Sequence, residues 1–165
     1  MSVLSQGIAS PDLERQLDLL KHYPEIAEAH FRPAMDQAAT ILEGAIRPNI
    51  PVLSGTALAA FGAKVSGKGL TIAAKVGWGT ARSDRDAWYM NVVEYGAKPH
   101  EINARKGGRL IFTGLDGTVV SVPKVDHPGF PARQLMKRGL ETSKAGIDAV
   151  MAAANEAAVR DLAVP

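Results

Sequence analysis

The segment RLIFTGLDGTVVSV, residues 109–122, decides the fold because it is the clearest β-hairpin signal in the chain. Two runs rich in β-branched and apolar residues, 109–113 and 118–122, flank a short turn that contains Asp116 and Gly117. An aspartate followed by glycine suits such a turn, since glycine readily adopts the positive φ angle of tight connections. The segment therefore predicts two antiparallel strands.

Upstream of the hairpin, two segments carry strand character and one of them is ambiguous. Residues 70–78 alternate imperfectly between apolar and polar positions, which predicts a strand. Residues 88–95 fit either a strand, favoured by their aromatic and β-branched content, or a helix capped by Gly96. The glycine-rich residues 50–69 and the polar residues 80–86 are predicted to be loops.

Helical periodicity predicts three helices. A short first helix begins at a Ser-Pro-Asp start, residues 10–12, and ends before Pro24. A second begins at Pro24 and closes near Pro48, and Pro33 inside it is expected to kink it or to mark a fresh start. The third is alanine-rich and follows a rigid turn at 127–131. Its predicted apolar face consists of Leu135, Met136, Leu140, Ile147, Val150, Met151, Ala154 and Ala158.

Together these elements predict an α+β fold, in which a small antiparallel or mixed β-sheet packs against a long helix from the N-terminal half and a long C-terminal helix. A chain of 165 residues buries roughly two-thirds of its surface and can fold without a metal or a disulfide. No internal repeat or linker divides it, so we expect one domain, 1–165. Within it, residues 1–23 are expected to form an N-terminal extension with a short helix, and residues 24–165 a core with extended loops.

Composition limits what the chain can do. The absence of cysteine excludes disulfides, thiolate metal sites and a cysteine nucleophile. With 19 Lys and Arg against 17 Asp and Glu, the charge is too balanced for a protein whose main task is to grip nucleic acid. Only 5% of residues are aromatic, so the core is thin and part of the apolar burial is expected between subunits. Neither a signal peptide nor an apolar run of ~18 residues is seen, which predicts a soluble, cytoplasmically made protein.

Motifs for catalysis or cofactor binding are weak. The four histidines are His22, His30, His100 and His127. A metal site would require His100 and His127 to converge with Glu101 and Asp126, and the paired-histidine helix motif of zinc enzymes is absent. The serine-elbow pattern is missing too, and residues 65–69 lack the full spacing of a phosphate-binding loop. We expect no catalytic residues, no metal and no cofactor, and a histidine-centred enzyme is a minor alternative.

Basic residues suggest a second class of function. A surface that faces DNA phosphates could be lined by Lys64, Lys68 and Lys75, together with Arg82, Arg105, Lys106 and Arg109. Solvated charge is the simpler interpretation, because aromatic residues that stack on bases are not interleaved with these cations. A DNA-binding module therefore stays as an alternative.

Two clusters of unusual residues flank the hairpin. The relevant pieces are VEYG (93–96), KPHEI (98–102), LIF (110–112), HPG (127–129) and PAR (131–133), preceded by NIPVLSGTAL (49–58). In this order they resemble segments of the small phage neck and tail-completion proteins, often labelled as putative tail components of lambda-like long-tailed phages. The resemblance runs from about residue 25 onward and is strongest over 93–136. It departs at Gln134 and Leu135, where the family commonly has a proline and an aromatic residue.

The resemblance implies a structural virion protein without catalysis, assembled as a ring that joins the head-closing proteins to the tail. The implied partners are the chain itself and the head-closure or adaptor, tail-terminator and tail-tube proteins, with possible non-specific contact with packaged DNA and no membrane. It also implies assembly in the bacterial host cytoplasm and a place in the virion, at the head-tail junction or upper tail. A tail-terminator ring that caps the tail tube is the alternative in the same setting.

Candidate contact residues come from the two clusters and from the loops. Contacts with other subunits or partners are predicted for Tyr95, Gly96, Lys98, Pro99, His100, Arg105, Lys106, His127, Phe130 and Arg133. Segments 52–66, 80–86 and 98–108 are expected to be extended arms that reach neighbouring subunits. Such arms suit a closed ring, where many modest contacts add up.

Overall fold

A computed structural model describes residues 11–52, 55–79, 87–114 and 116–163, and it has the mixed α+β architecture expected. The helices are α1 (Pro11–Ile46), α2 (Thr56–Ala60), α3 (Met90–Tyr95) and α4 (Leu135–Ala163). The strands are β1 (Phe61–Ser66), β2 (Ala73–Trp78), β3 (His100–Asn103), β4 (Leu110–Thr113), β5 (Val119–Val122) and β6 (Lys124–His127). They form three separate antiparallel pairs, β1–β2, β3–β6 and β4–β5.

The N-terminal half forms one helix rather than two. Helix α1 continues through Pro24 and Pro33, so the predicted helix end at Pro24 is wrong, and the short helix proposed for residues 1–23 is the first part of α1. A proline inside a helix removes a backbone hydrogen bond and costs about 3 kcal/mol. Glu28 and Arg32, between the two prolines, bind backbone groups of the β1–β2 turn at 2.7 and 2.6 Å. These tertiary contacts help to offset the cost.

Helices α1 and α4 pack antiparallel and together form what we call the helical body. At one end, Nε2 of His30 binds Oδ2 of Asp161 at 2.6 Å, and at the other Ile46 lies against Gly139. The buried alanines of the body are Ala27, Ala34, Ala38 and Ala39 of α1 and Ala154 and Ala158 of α4. Small facing side chains allow the two helices to approach closely.

The predicted apolar face of α4 is wrong at Leu140, which is exposed. The inward position nearby is taken by Ser143, whose hydroxyl donates to the carbonyl oxygen of Gly139 at 2.8 Å. Residues four apart share a helix face, so Gly139 and Ser143 lie together on the packed side. The large side chain of Ile46 fills the space beside Gly139. The face of α4 that carries the small residues Gly139 and Ser143 is therefore the buried one.

The main core lies where α1 ends and α4 begins. It consists of Ile46, Ile50, Ala57, Ala60, Phe61, Ala87, Met90 and Leu135. Across β1–β2 the rings of Phe61 and Trp78 are 5.0 Å apart. The loop predicted for residues 50–69 is therefore wrong, since this segment contains α2 and β1. The frequent glycines of this segment concealed strand β1 in the sequence. Its buried residue Phe61 contacts Trp78, and this contact exists only in the folded chain.

Other local predictions are confirmed or resolved. The hairpin forms as predicted, with β4 antiparallel to β5. Of the ambiguous residues 88–95, Met90–Tyr95 form helix α3, which is closed by Gly96 at φ 75°. Strand β2 begins three residues later than the 70–78 segment suggested. No helix in the described ranges is both long and apolar enough to cross a membrane.

Candidate subunit interface

The two clusters that flank the hairpin meet in space. Ala97 and Phe130 exchange backbone hydrogen bonds of 3.0 and 2.9 Å, which form an isolated β-bridge. A Cβ on Gly96 would lie 2.6 Å from the backbone nitrogen of Ala132, and a Cβ on Gly129 would overlap the carbonyl oxygen of Ala97. We call this crossing of residues 96–97 and 129–132 the joint. Gly96 is partly buried at the joint, and glycine suits this position because the backbone of residues 130–132 passes too close to leave room for a side chain.

Glu94 links α3 to the start of α4. Its side chain is 8% exposed, and both carboxylate oxygens accept from the backbone N–H of Met136 at 3.2 Å. The carboxylate thus caps the N-terminus of a helix of 29 residues, where unpaired N–H groups and the helix dipole favour negative charge. Arg133 and Gln134 also donate their N–H groups to carbonyls of α3, at 3.0 and 3.2 Å. Sequence reasoning gave Glu94 no role; the available signal was an acid in an otherwise apolar run.

The entry to α4 contains an unusual backbone conformation. Gln134 has φ 51° and is the one non-glycine residue with positive φ in the described ranges. A proline ring holds φ near −65° and could not adopt this turn. A proline at position 134 is therefore incompatible with this turn.

Strands β3 and β6 place two of the predicted residues side by side. His100 and His127 are direct cross-strand neighbours, and their ring centroids are 5.1 Å apart. Nδ1 of His100 donates to the carbonyl oxygen of Lys98 at 2.8 Å, whereas Nδ1 of His127 accepts the N–H of Gly129 at 3.0 Å. Neutral His127 therefore carries its proton on Nε2, which leaves no lone pair there for a metal ion.

The acidic neighbours of these histidines point the other way. Glu101 and Asp126 are paired one position further along, and successive side chains of a strand alternate between its faces. Glu101 accepts from Lys124 at 2.5 Å and from Asn103 at 3.0 Å, and these hydrogen bonds lower the pKa of its carboxyl group. No group of three or more His, Asp or Glu side chains in the described part of the chain could hold a metal ion. The histidines converge, but the carboxylates do not join them.

Most predicted contact residues lie at the surface. Tyr95, Lys98, Pro99, His100, Arg105, Lys106, Phe130 and Arg133 are exposed, and Gly96 and His127 are partly buried. Segment 98–108 comprises β3 and an exposed loop, whereas 80–86 lies outside the described residues. The arm predicted for 52–66 is wrong, because α2 and β1 occupy most of it and Ala57 and Phe61 are buried.

Two strand pairs stand off the helical body. Beyond their own partners, the strands of β3–β6 and β4–β5, which we call the ribbons, make only sparse contacts with other elements. Ile111 and Val119 are 71% and 73% exposed, and Phe112 is also exposed. An isolated two-stranded ribbon is at best marginally stable in water. Uncovered apolar side chains and unpaired strand edges are features of a surface that binds protein.

The predicted basic residues divide among different elements. Lys64 and Lys75 are directly opposite each other on β1–β2 and both are exposed, and Lys68 lies in the turn between these strands. Arg105 and Lys106 are exposed in the loop before β4. The remaining two are Arg109, whose Nε donates to Ser121 Oγ at 2.8 Å, and Arg82, which lies outside the described residues. The structure therefore brings Lys64 and Lys75 together, where two like charges disfavour the pairing unless an anion is near.

A cavity of about 470 Å³ lies between β2, α3 and the start of α4. Its walls are mainly aromatic and apolar, including Trp78, Trp88 and Met136. Glu94 is the one carboxylate among its described lining residues, and that group already caps α4. A nucleophile beside a base, which hydrolytic chemistry requires, is not found among those residues.

No family model matches the chain, and neither does any curated protein or solved structure that was compared with it.

Proposed function

We propose that this chain is a structural, non-catalytic protein of the head-tail junction of a tailed bacteriophage, where it forms a ring that joins the head-closing proteins to the tail. The ordered resemblance of residues 93–136 to phage neck and tail-completion proteins supports this setting. The exposed ribbons support the ring, and they are the observation that carries the proposal.

The ribbons favour assembly for a physical reason. In a monomer, Ile111, Phe112 and Val119 remain in water, although burying a side chain of this kind is worth roughly 1.5 to 3 kcal/mol. Short strands with free edges also gain backbone hydrogen bonds when another chain covers them. A closed ring repeats the same modest contact around its circumference and leaves no copy with an uncovered surface.

Mass photometry and negative-stain electron microscopy of the purified full chain test the ring. We expect one multi-subunit species that has the outline of a closed ring. A monodisperse monomer at every concentration, both alone and mixed with head-closing and tail-tube proteins, would contradict the proposal.

A matched pair of substitutions tests whether the ribbons carry the contact. Ile111→Ser on β4 should reduce the assembled fraction at a fixed protein concentration while the monomer stability changes by less than about 0.5 kcal/mol, because the side chain is exposed. Leu140→Ser, the same type of change at an exposed position of α4, should leave assembly intact. Equal effects of both changes would remove the ribbons from the proposal.

The position within the junction is a separate question that binding can decide. A neck ring should bind the head-closing ring and the assembled tail, whereas a tail-terminator ring should bind the ends of tail tubes in the absence of head proteins. Co-sedimentation with purified tubes and with purified head-closing rings separates these outcomes.

A DNA-binding role is a second candidate, favoured by the opposed Lys64 and Lys75. If these lysines neutralise about two phosphates, log Kobs should fall against log salt with a slope of about −1.8. Replacing both with Gln should abolish that binding. Binding that is insensitive to salt, or no binding at all, would eliminate the candidate.

A further inference from the structure

Helix α1 extends past the helix it packs on. The hydrogen bond between His30 and Asp161 sets these residues level, and α4 ends two residues later. Because the helices are antiparallel, α1 residues before about residue 27 have no α4 residue level with them. Pro24 still lies against Gly69 of the β1–β2 turn. Residues 11–23, which we call the α1 arm, project beyond this point for about 20 Å at 1.5 Å per residue.

The α1 arm carries an uncovered apolar stripe. Leu13, Leu17 and Leu20 are 50%, 49% and 65% exposed. Their spacing of four and then three residues places them on one helix face. Continued along α1, the same spacing reaches Ala27 and Ala34, which are buried in the helical body. The stripe is therefore the extension of the packing face of α1, and nothing in the described part of the chain covers it.

A shallow, open groove of similar length lies between α1 and α4. Its volume is about 430 Å³, and its walls include His30, Ala34 and Gln37 of α1 and Ala149, Ala153 and Ala154 of α4. Alanine side chains are short, so they leave room for larger side chains from outside. Along α1 the groove runs from His30 to Gln37, about 10 Å, which equals the length of the stripe from Leu13 to Leu20.

The arm cannot enter the groove of its own chain. Helix α1 is continuous and forms one wall of that groove. Leu17 precedes His30 by about 20 Å along the same helix axis, so bringing them together would require α1 to break. A second copy of the chain can present its arm without any such change.

We propose that the α1 arm of one copy docks through Leu13, Leu17 and Leu20 into the alanine-lined groove between α1 and α4 of a neighbouring copy. This inference rests on the proposed ring function, because it names one contact that joins adjacent subunits. The arm and the groove are different patches, so the contact is head-to-tail and leaves a free arm at one end and a free groove at the other until the ring closes.

Two substitutions in the full chain disable the two halves of the contact separately. Leu17→Asp places a charge in the middle of the stripe, and Ala153→Arg fills the exposed mouth of the groove. Each alone should raise the dissociation constant between subunits at least about 30-fold, the effect of losing a central contact residue. His22→Asp adds the same charge on the opposite face of the arm, and it should leave assembly unchanged.

Mixing the two defective variants gives the decisive result. The Leu17→Asp copy retains a groove and the Ala153→Arg copy retains an arm. At a concentration at which each variant alone is monomeric, an equimolar mixture should therefore form a one-to-one dimer that grows no further in mass photometry. An arm that paired with a second arm would instead be broken by Leu17→Asp and unaffected by Ala153→Arg. That pattern would overturn the proposed contact.

Two further outcomes separate this inference from the function on which it rests. If the wild-type chain forms rings and both variants do so as well, the arm contact is wrong and the ring stands. If the wild-type chain is monomeric with and without its junction partners, the ring itself is wrong. A fall of several degrees in the melting temperature of monomeric Leu17→Asp would show that the chain covers its own stripe, and this too would overturn the contact.

Discussion

The helical body and the ribbons are stabilised in opposite ways. In the body, alanine and glycine faces of α1 and α4 pack closely, and Ile46 is completely buried. In the ribbons, backbone hydrogen bonds pair the strands while large apolar side chains such as Ile111 and Val119 stay in water. Bulk and hydrophobicity in the sequence therefore do not identify the region that holds the monomer together. Substitutions in the body should destabilise the whole fold, whereas those in the ribbons should act locally or on assembly.

The largest effect is expected in the body, for Gly139→Ala. Its Cβ would overlap Cγ1 of Ile46, which has no room to move, and overpacking of this kind costs about 3 kcal/mol. Gly146→Ala on the same helix is the control, since its Cβ would lie 3.6 Å from Ile41 and make an ordinary contact. The control should gain up to about 1 kcal/mol from better helix propensity. Urea unfolding at one protein concentration measures both, and equal signs would contradict the close packing.

A smaller and more local effect is expected at the joint, for Gly129→Ala. The positive φ and the overlap with Ala97 should together cost about 2 kcal/mol, but the joint can open without unfolding the body. Amide exchange should therefore accelerate at Ala97 and Phe130 and not in α4. The control is Gly107→Ala, which has φ 70° and open space around it and should cost about 1 kcal/mol. Faster exchange throughout α4 would erase the distinction between the two regions.

Glu94 links α3 to the helical body, and its removal should have a smaller effect than either glycine substitution. Glu94→Ala deletes the carboxylate that caps α4 and should cost about 1 kcal/mol. Glu156→Ala removes an exposed acid from the same helix and should change stability by less than about 0.5 kcal/mol. Thermal unfolding followed by circular dichroism compares them. A null result for Glu94→Ala would mean that the start of α4 is held by its backbone contacts alone.

The smallest effect is expected on the ribbon β3–β6 and depends on pH. The hydrogen bond from Lys124 holds the pKa of Glu101 below its ordinary value of 4.5. The Lys124–Glu101 pair therefore stabilises the ribbon fully above pH 4.5, and this stabilisation declines as the pH falls through the lowered pKa of Glu101 in the folded chain. The same hydrogen bond raises the pKa of Lys124 above its ordinary value of 10.5. The stabilisation by the pair is therefore also lost as the pH rises through the raised pKa of Lys124. Amide exchange of the ribbon between pH 7 and about pH 3 should show the acid loss in the wild-type chain. Lys124→Met should reduce the acid loss to the smaller part that the Asn103 hydrogen bond supplies, and an unchanged pH profile in that variant would exclude the pair as its main cause.

The sequence predicts those helices and strands that are determined by residues within the segment itself. The hairpin follows from the turn at Asp116 and Gly117, and α4 follows from a long alanine-rich run. Strand β1 and the continuity of α1 through Pro24 could not be predicted in this way, because they depend on contacts with distant segments. Phe61 packs against Trp78 of the paired strand, and the part of α1 after Pro24 binds the β1–β2 turn through Glu28.

The candidate site shows the same division. That Tyr95, Lys98 and Arg133 lie at the surface could be predicted from the sequence. The function of Glu94 could not, since it caps a helix 42 positions away. Gly96 could be predicted as a helix cap, but its close approach to residues 130–132 could not. The α1 arm was also hidden, because its leucines resemble any amphipathic helix until the end of α4 is known.

The antiparallel pairing of α1 and α4 has a consequence for the order of events during translation. His30 and Asp161 are separated by 131 positions in the sequence. The groove forms only when both helices, α1 and α4, are in place. Contacts this distant form late, since the entropy of closing the intervening loop must first be overcome. On the ribosome the arm is made early and its acceptor groove late. Under the proposed contact, a nascent chain therefore cannot accept a neighbour, and recruitment begins only after α4 has left the ribosome.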